Sequence, residues 1–142
     1  MNENKLSILS AMVARLFMGF VFFIFGLNYF FHFINLHGYY GPPSKALFAP
    51  MAPRVEALIT ALIDTGYLFQ TNKIIQVVAG LLLLSNRFVP MALVVLAPIT
   101  LNIFLFNTIL NPSGFAPGMA LLLANIYLGY IYRDNYRGLF KP

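Results

Sequence analysis

This sequence predicts an all-α fold: a transmembrane four-helix bundle with an extra short amphipathic or re-entrant helix between the first and second spans. Three observations predict it. Hydrophobic residues make up 60% of the 142 residues and charged ones only 9%, where a soluble domain carries roughly 25% charged. Long apolar runs approach the about 20 residues needed to cross hydrocarbon. The few basic side chains fall mostly at the ends of those runs. A surface facing water needs charge, and lipid does not.

The length suits one unit, so residues 1–142 are read as a single transmembrane domain. The first span covers about 13–34, with Arg15 near its start, and its length and the lack of a small-residue cleavage site argue against a removable signal peptide. The second, about 66–85, is less clean. Ile74 to Ser85 is too short alone and must borrow from Thr65 to Asn72, with Lys73 snorkelling, or else stack on a re-entrant piece. The third, about 88–110, and the fourth, about 115–133, are almost free of charge. Ser85-Asn86-Arg87 and Asn111-Pro112-Ser113-Gly114 join the last three spans tightly, which makes neighbours antiparallel.

The long connector, 35–65, opens with a turn at Gly38 to Pro43 and is punctuated by Pro50 and Pro53. Arg54 to Phe69 then reads as an amphipathic helix, with Leu58, Ala61, Leu62 and Leu68 at helical spacing. Lys5, Arg15, Arg87, Arg133, Arg137 and Lys141 fall on one side of a four-span chain, and Lys45, Arg54 and Lys73 on the other. The positive-inside rule places both termini in the cytoplasm and turns the connector outward, across a bacterial inner membrane.

Some chemistry is excluded. There are no cysteines, so disulfides, thiol redox chemistry, zinc-thiolate sites and iron–sulfur clusters are ruled out within this chain. The net charge of +5 is interfacial and not gathered in a stripe, which argues against nucleic acid. The expected partners are the lipid bilayer and a further copy of the chain. His32 and His37 stand five apart at one helix end, and no other helix offers a histidine. A bis-histidine haem is therefore not expected, and no metal set is singled out.

In hydrocarbon the polar residues are the informative ones, because burying them costs free energy unless they find partners. Asn28, His32 and Asn35 share a helical stripe, as do Thr100, Asn107 and Asn111, then Lys73, Gln76 and Gly80, and finally Gly118, Asn125 and Tyr132. Asn102 adds another amide to the third span. One reading is an outward polar pocket lined by Asn28, His32, Asp64, Tyr67, Lys73, Gln76 and Asn107, with Asp64 and Tyr67 as its cap. The pocket would hold a quinone, a bound lipid or another small amphiphile. The other reading is helix glue, since amides bond across helices for roughly 0.6 to 2 kcal/mol each. Arg15 either snorkels to headgroups or pairs with Asp134. The eight phenylalanines of the first span are read as packing and lipid contact.

Ala14-Arg15-Leu16-Phe17-Met18-Gly19-Phe20 running into Phe25-Gly26-Leu27-Asn28, then Gly66-Tyr67-Leu68-Phe69 and Lys73-Ile74-Ile75-Gln76 to Leu84, then Asn86-Arg87-Phe88-Val89-Pro90 and Ala97-Pro98-Ile99 resemble the first three helices of the DoxX-like membrane proteins. The resemblance covers nearly the whole chain. It implies a four-helix membrane bundle acting as an accessory or anchoring subunit of a membrane or peripheral oxidoreductase, in redox or quinone-linked processes. Two positions depart from the family pattern: Gln76 stands where a glutamate is common, and Asn107 where a histidine is expected. An amide cannot carry a proton, so proton handling is not expected of this member.

Overall fold

A computed structural model describes residues 2–35 and 52–140. The expected turn at Gly38 to Pro43, His37, Lys45, Pro50 and Lys141 lie outside the described residues. Six α-helices account for most of the described residues: α1 (Glu3–Phe31), α2 (Pro53–Asp64), α3 (Leu68–Leu84), α4 (Val89–Ile109), α5 (Phe115–Ile131) and the single turn α6 (Arg133–Tyr136). No strand occurs among the described residues. Helices α1, α4 and α5 with its leading turn are long and apolar enough to cross a membrane, and the bent pair α2–α3 makes a fourth if it counts as one span.

The four long helices form a ring. Ser10 of α1 meets Tyr127 of α5, and Arg15 of α1 meets Leu83 of α3. Asn125 of α5 meets Leu93 of α4. Early residues thus face late ones, so α1 runs antiparallel to α3 and α5, and α4 to α5. The start of α1 and the finish of α5 lie together at what we call the terminus end. The finish of α1 and the start of α3 lie at the connector end.

The interior is thin. Met18, Phe22, Leu83, Leu93, Leu96 and Leu128 are fully enclosed, while Phe31, Ile74, Leu81, Val94, Leu123 and Ile126 are more than half exposed. An apolar exterior of this extent is stable when hydrocarbon surrounds it and a liability in water.

Packing of α1 on α3 depends on glycine. A methyl group on Gly80 would lie 2.6 Å from the Phe23 nitrogen and 2.9 Å from the Gly19 carbonyl oxygen. Both are backbone atoms and cannot yield easily, so the two helices approach at a distance only glycine permits, as small residues do in membranes.

Helix ends differ from the sequence expectation at two places. The first helix begins ten residues before the expected span and stops at Phe31, where His32 turns left-handed at φ 53°. The stop comes from a side chain. Asn28 Nδ2 donates to the Ile34 carbonyl at 3.0 Å, and the Ile34 N–H donates to Asn28 Oδ1 at 2.6 Å. This clasp folds the chain back on α1 and satisfies an amide in an apolar setting. It also breaks the Asn28–His32–Asn35 stripe, because Asn35 is no longer on the helix.

The second difference is the amphipathic helix expected over Arg54 to Phe69. It ends at Asp64. Thr65 Oγ1 donates to the Leu62 carbonyl and accepts from the Leu68 N–H, and Gly66 takes φ 78°, a backbone setting that glycine adopts without strain. The axis bends by 89° there. Helix α2 therefore lies across the connector end. Its Arg54 donates to the Ile109 carbonyl at 3.2 Å, a cation at the negative end of α4.

Candidate functional site

The polar residues of the connector end gather on the first turns of α3. Spacing does the positioning: residues three or four apart on a helix are neighbours. Gln76 Nε2 donates to Asn72 Oδ1 at 2.8 Å. Lys73 Nζ lies 3.5 Å from Gln76 Oε1, at the long limit of a hydrogen bond. The same ammonium stands 5.2 Å from the centre of the Phe69 ring, within cation–π range. Phe69 in turn packs edge-on against Tyr29 of α1, with ring centres 5.1 Å apart. Gln70, one turn before Lys73, has its Oε1 buried with no hydrogen-bond partner.

The electrostatics of this cluster are lopsided. Lys73 is partly buried, yet the ion pair recorded among the described residues is Arg137 with Asp134, at 3.1 Å and well exposed. No carboxylate faces Lys73 in that set. An ammonium carries three donors, and here one makes a long bond and another faces a ring. A cation held this way at membrane depth is costly. An anion or a carbonyl brought to it would relieve that cost.

Of the seven residues predicted to line a pocket, the structure brings Lys73 and Gln76 together. Asn28 is buried but committed to the Ile34 backbone. Asn107 donates to the Ile103 carbonyl at 2.9 Å on its own helix and accepts from Asn111 at 3.4 Å. It also lies against Gly114 and Gly118, so it fixes the turn from α4 to α5. His32 is exposed at the left-handed cap of α1. Asp64 and Tyr67 are exposed on either side of the Gly66 bend, Tyr67 at 62%, and neither side chain bonds to the cluster among the described residues.

Phe69, Gln70 and Asn72 were not singled out from sequence, though all three could have been. Asn72 is four residues before Gln76, Phe69 four before Lys73, and Gln70 three before it. The expected second span, about 66–85, already places these positions on one helix, so the signal was within reach.

Two further polar expectations are resolved. Arg15 Nη1 donates to the Leu83 carbonyl at 3.0 Å, near the C-terminus of α3. It does not pair with Asp134, which is taken by Arg137. Asn125 donates to the Leu93 carbonyl at 3.4 Å, which is the glue role. No family model, curated protein or solved structure matches this chain.

Proposed function

We propose that this chain is an integral membrane protein that holds a small amphiphile by its polar head at the connector end, with Lys73 as the anchor. The observation that carries this reading is the half-satisfied pair on α3: an ammonium with no carboxylate beside it among the described residues and, one turn away, the unfilled Gln70 Oε1. Such groups are retained at membrane depth when something else completes them. The head that fits offers an acceptor to Lys73 and a donor to Gln70. A quinol head has that pattern, and so does a protonated lipid phosphate, whereas a quinone would supply the acceptor alone. The apolar tail runs beside exposed Ile74, Val78 and Leu81 on α3. The charge bias of the sequence favours cytoplasmic termini, which sets this head site in the outer leaflet of a bacterial inner membrane.

Native mass spectrometry of the protein extracted from its own membrane in mild detergent tests the reading. Wild type is expected to retain a mass of a few hundred daltons or more, and Lys73→Met to lose it. A bare wild-type polypeptide would overturn the proposal.

A second reading is an accessory or anchoring subunit for a membrane or peripheral oxidoreductase, as the DoxX-like resemblance implies. What supports it is that Gly19, Gly26 and Gly80, residues that carry the resemblance, gather along the α1–α3 seam. It requires a stoichiometric oxidoreductase in the same spectrum, and retention of that partner by Lys73→Met.

A further inference from the structure

Helix α4 carries an amide for which its own bundle provides no use. Asn102 lies past the middle of α4, exposed on the outer surface. No hydrogen bond engages its side chain among the described residues. Most other amides of the long helices behave differently: Asn28, Asn72, Gln76, Asn107 and Asn125 each have a bond, Gln70 leaves its oxygen unpaired in the buried cluster on α3, and Asn4 stands in the exposed first turn of α1. In water an exposed asparagine is unremarked. On a helix wrapped in hydrocarbon, a carboxamide without a partner is a standing cost.

A second polar group lies on the same line. Pro98 sits inside α4, four residues before Asn102. Proline has no N–H, so the carbonyl of Val94, four residues earlier again, lacks its usual helical donor. Val94, Pro98 and Asn102 are all exposed and fall at i, i+4 and i+8, one stripe on the lipid-facing side. Exposed Leu101 and Leu105 flank it, and Ala97 beside it is small enough to let another helix approach.

We propose that two copies of this chain pair through this face of α4, with Asn102 of each copy donating to and accepting from the same residue of its partner. Three arguments select a second copy as the occupant. A carboxamide is both donor and acceptor, so it complements itself. Copies inserted with one topology hold Asn102 at one depth. A twofold axis along the membrane normal then brings the same patch onto itself, which is the commonest closed symmetry of homo-oligomers. The backbone acceptor freed by Pro98 adds capacity on the same stripe. This pairing is independent of any ligand at Lys73, which lies on α3.

The absence of cysteine makes the test clean. Leu105→Cys, with Asn102 intact, is oxidised in native membranes, and Ile126→Cys on the exposed flank of α5 serves as control. A cross-linked homodimer is expected from the first and not the second. In vesicles, dimer fraction is then read by single-molecule photobleaching. Asn102→Leu is expected to weaken association roughly three- to thirty-fold, and Asn102→Gln, which keeps the amide, to restore most of it. A wild type that is monomeric at every surface density overturns the proposal. So does Asn102→Leu pairing as tightly as wild type, equal cross-linking from Ile126→Cys, or a Leu105→Cys product that contains a different protein.

Discussion

The two ends of this bundle use their polar groups in opposite ways. At the terminus end they join one helix to another. Ser10 and Tyr127 share a 2.6 Å hydrogen bond between α1 and α5, Arg15 reaches the Leu83 carbonyl, and the Tyr136 hydroxyl donates to the Pro90 carbonyl at 2.9 Å. At the connector end they mostly close on their own segment: Asn28 on Ile34, Asn107 on Ile103, Gln76 on Asn72. Arg54 to Ile109 is an exception among the described residues. Lys73 and Gln70 are left with unused capacity. The contrast separates two jobs that a membrane amide or cation can have. One end uses its polarity to hold the bundle together, and the other leaves part of it unpaired among the described residues.

The largest expected effect tests what the ends share, the α1–α3 seam. Gly80→Val places carbon against the Phe23 nitrogen and the Gly19 oxygen and should cost about 3 kcal/mol, seen as a large drop in thermal midpoint in detergent. Gly129→Ala, where an added methyl meets nothing within 4 Å, should stay within about 0.5 kcal/mol of wild type. Equal tolerance of both would mean that close helix approach does not hold the ends together.

The next effect is a difference in sign between the ends. Arg15→Met removes a charge-assisted bond to a helix C-terminus and should destabilise by about 2 kcal/mol. Lys73→Met removes an ammonium that has little to hold it, and in delipidated protein should leave stability unchanged or raise it by about 1 kcal/mol. Chemical unfolding of the two variants side by side makes the comparison. A loss of stability in Lys73→Met as large as in Arg15→Met would make Lys73 a structural tie and erase the distinction.

These contrasts also explain what the sequence could disclose. Helices α3, α4 and α5 fall within two residues of their expected spans because apolar runs are bounded there by proline, glycine or a short polar turn. The stop of α1 was hidden. It depends on Asn28 reaching a backbone six residues on, and no breaker residue marks it. The Gly66 bend was hidden in another way, since periodicity carries through Leu62 and Leu68 while the axis turns by 89°. Within the site, Lys73 and Gln76 were legible as polar groups in an apolar run. Asn28 and Asn107 read as pocket residues because spacing reports a side chain's face and not whether its amide closes on its own backbone. Asn102 shows the converse: it shares the chemistry of the buried amides, and only the packing reveals that it points outward.

The smallest effect concerns the outermost tie of the terminus end. Burial, with Tyr132 close by, raises the pKa of the Tyr136 hydroxyl above the ordinary 10.0, and the protonated hydroxyl is the form that donates to Pro90. The folded value lies above the unfolded one, so the contribution to stability is complete below pH 10 and disappears as pH climbs through the raised value. Tyr136→Phe should cost about 1 kcal/mol at neutral pH, the usual net worth of one hydrogen bond. The gap between wild type and Tyr136→Phe should then narrow above pH 10, while other titrations, common to both proteins, cancel from the difference. Unfolding midpoints of the pair measured across that range give the answer. A gap that stays constant above pH 10 would mean that the phenol packs against α4 without its proton mattering, and the terminus end would then owe its cohesion to Ser10, Arg15 and their partners alone.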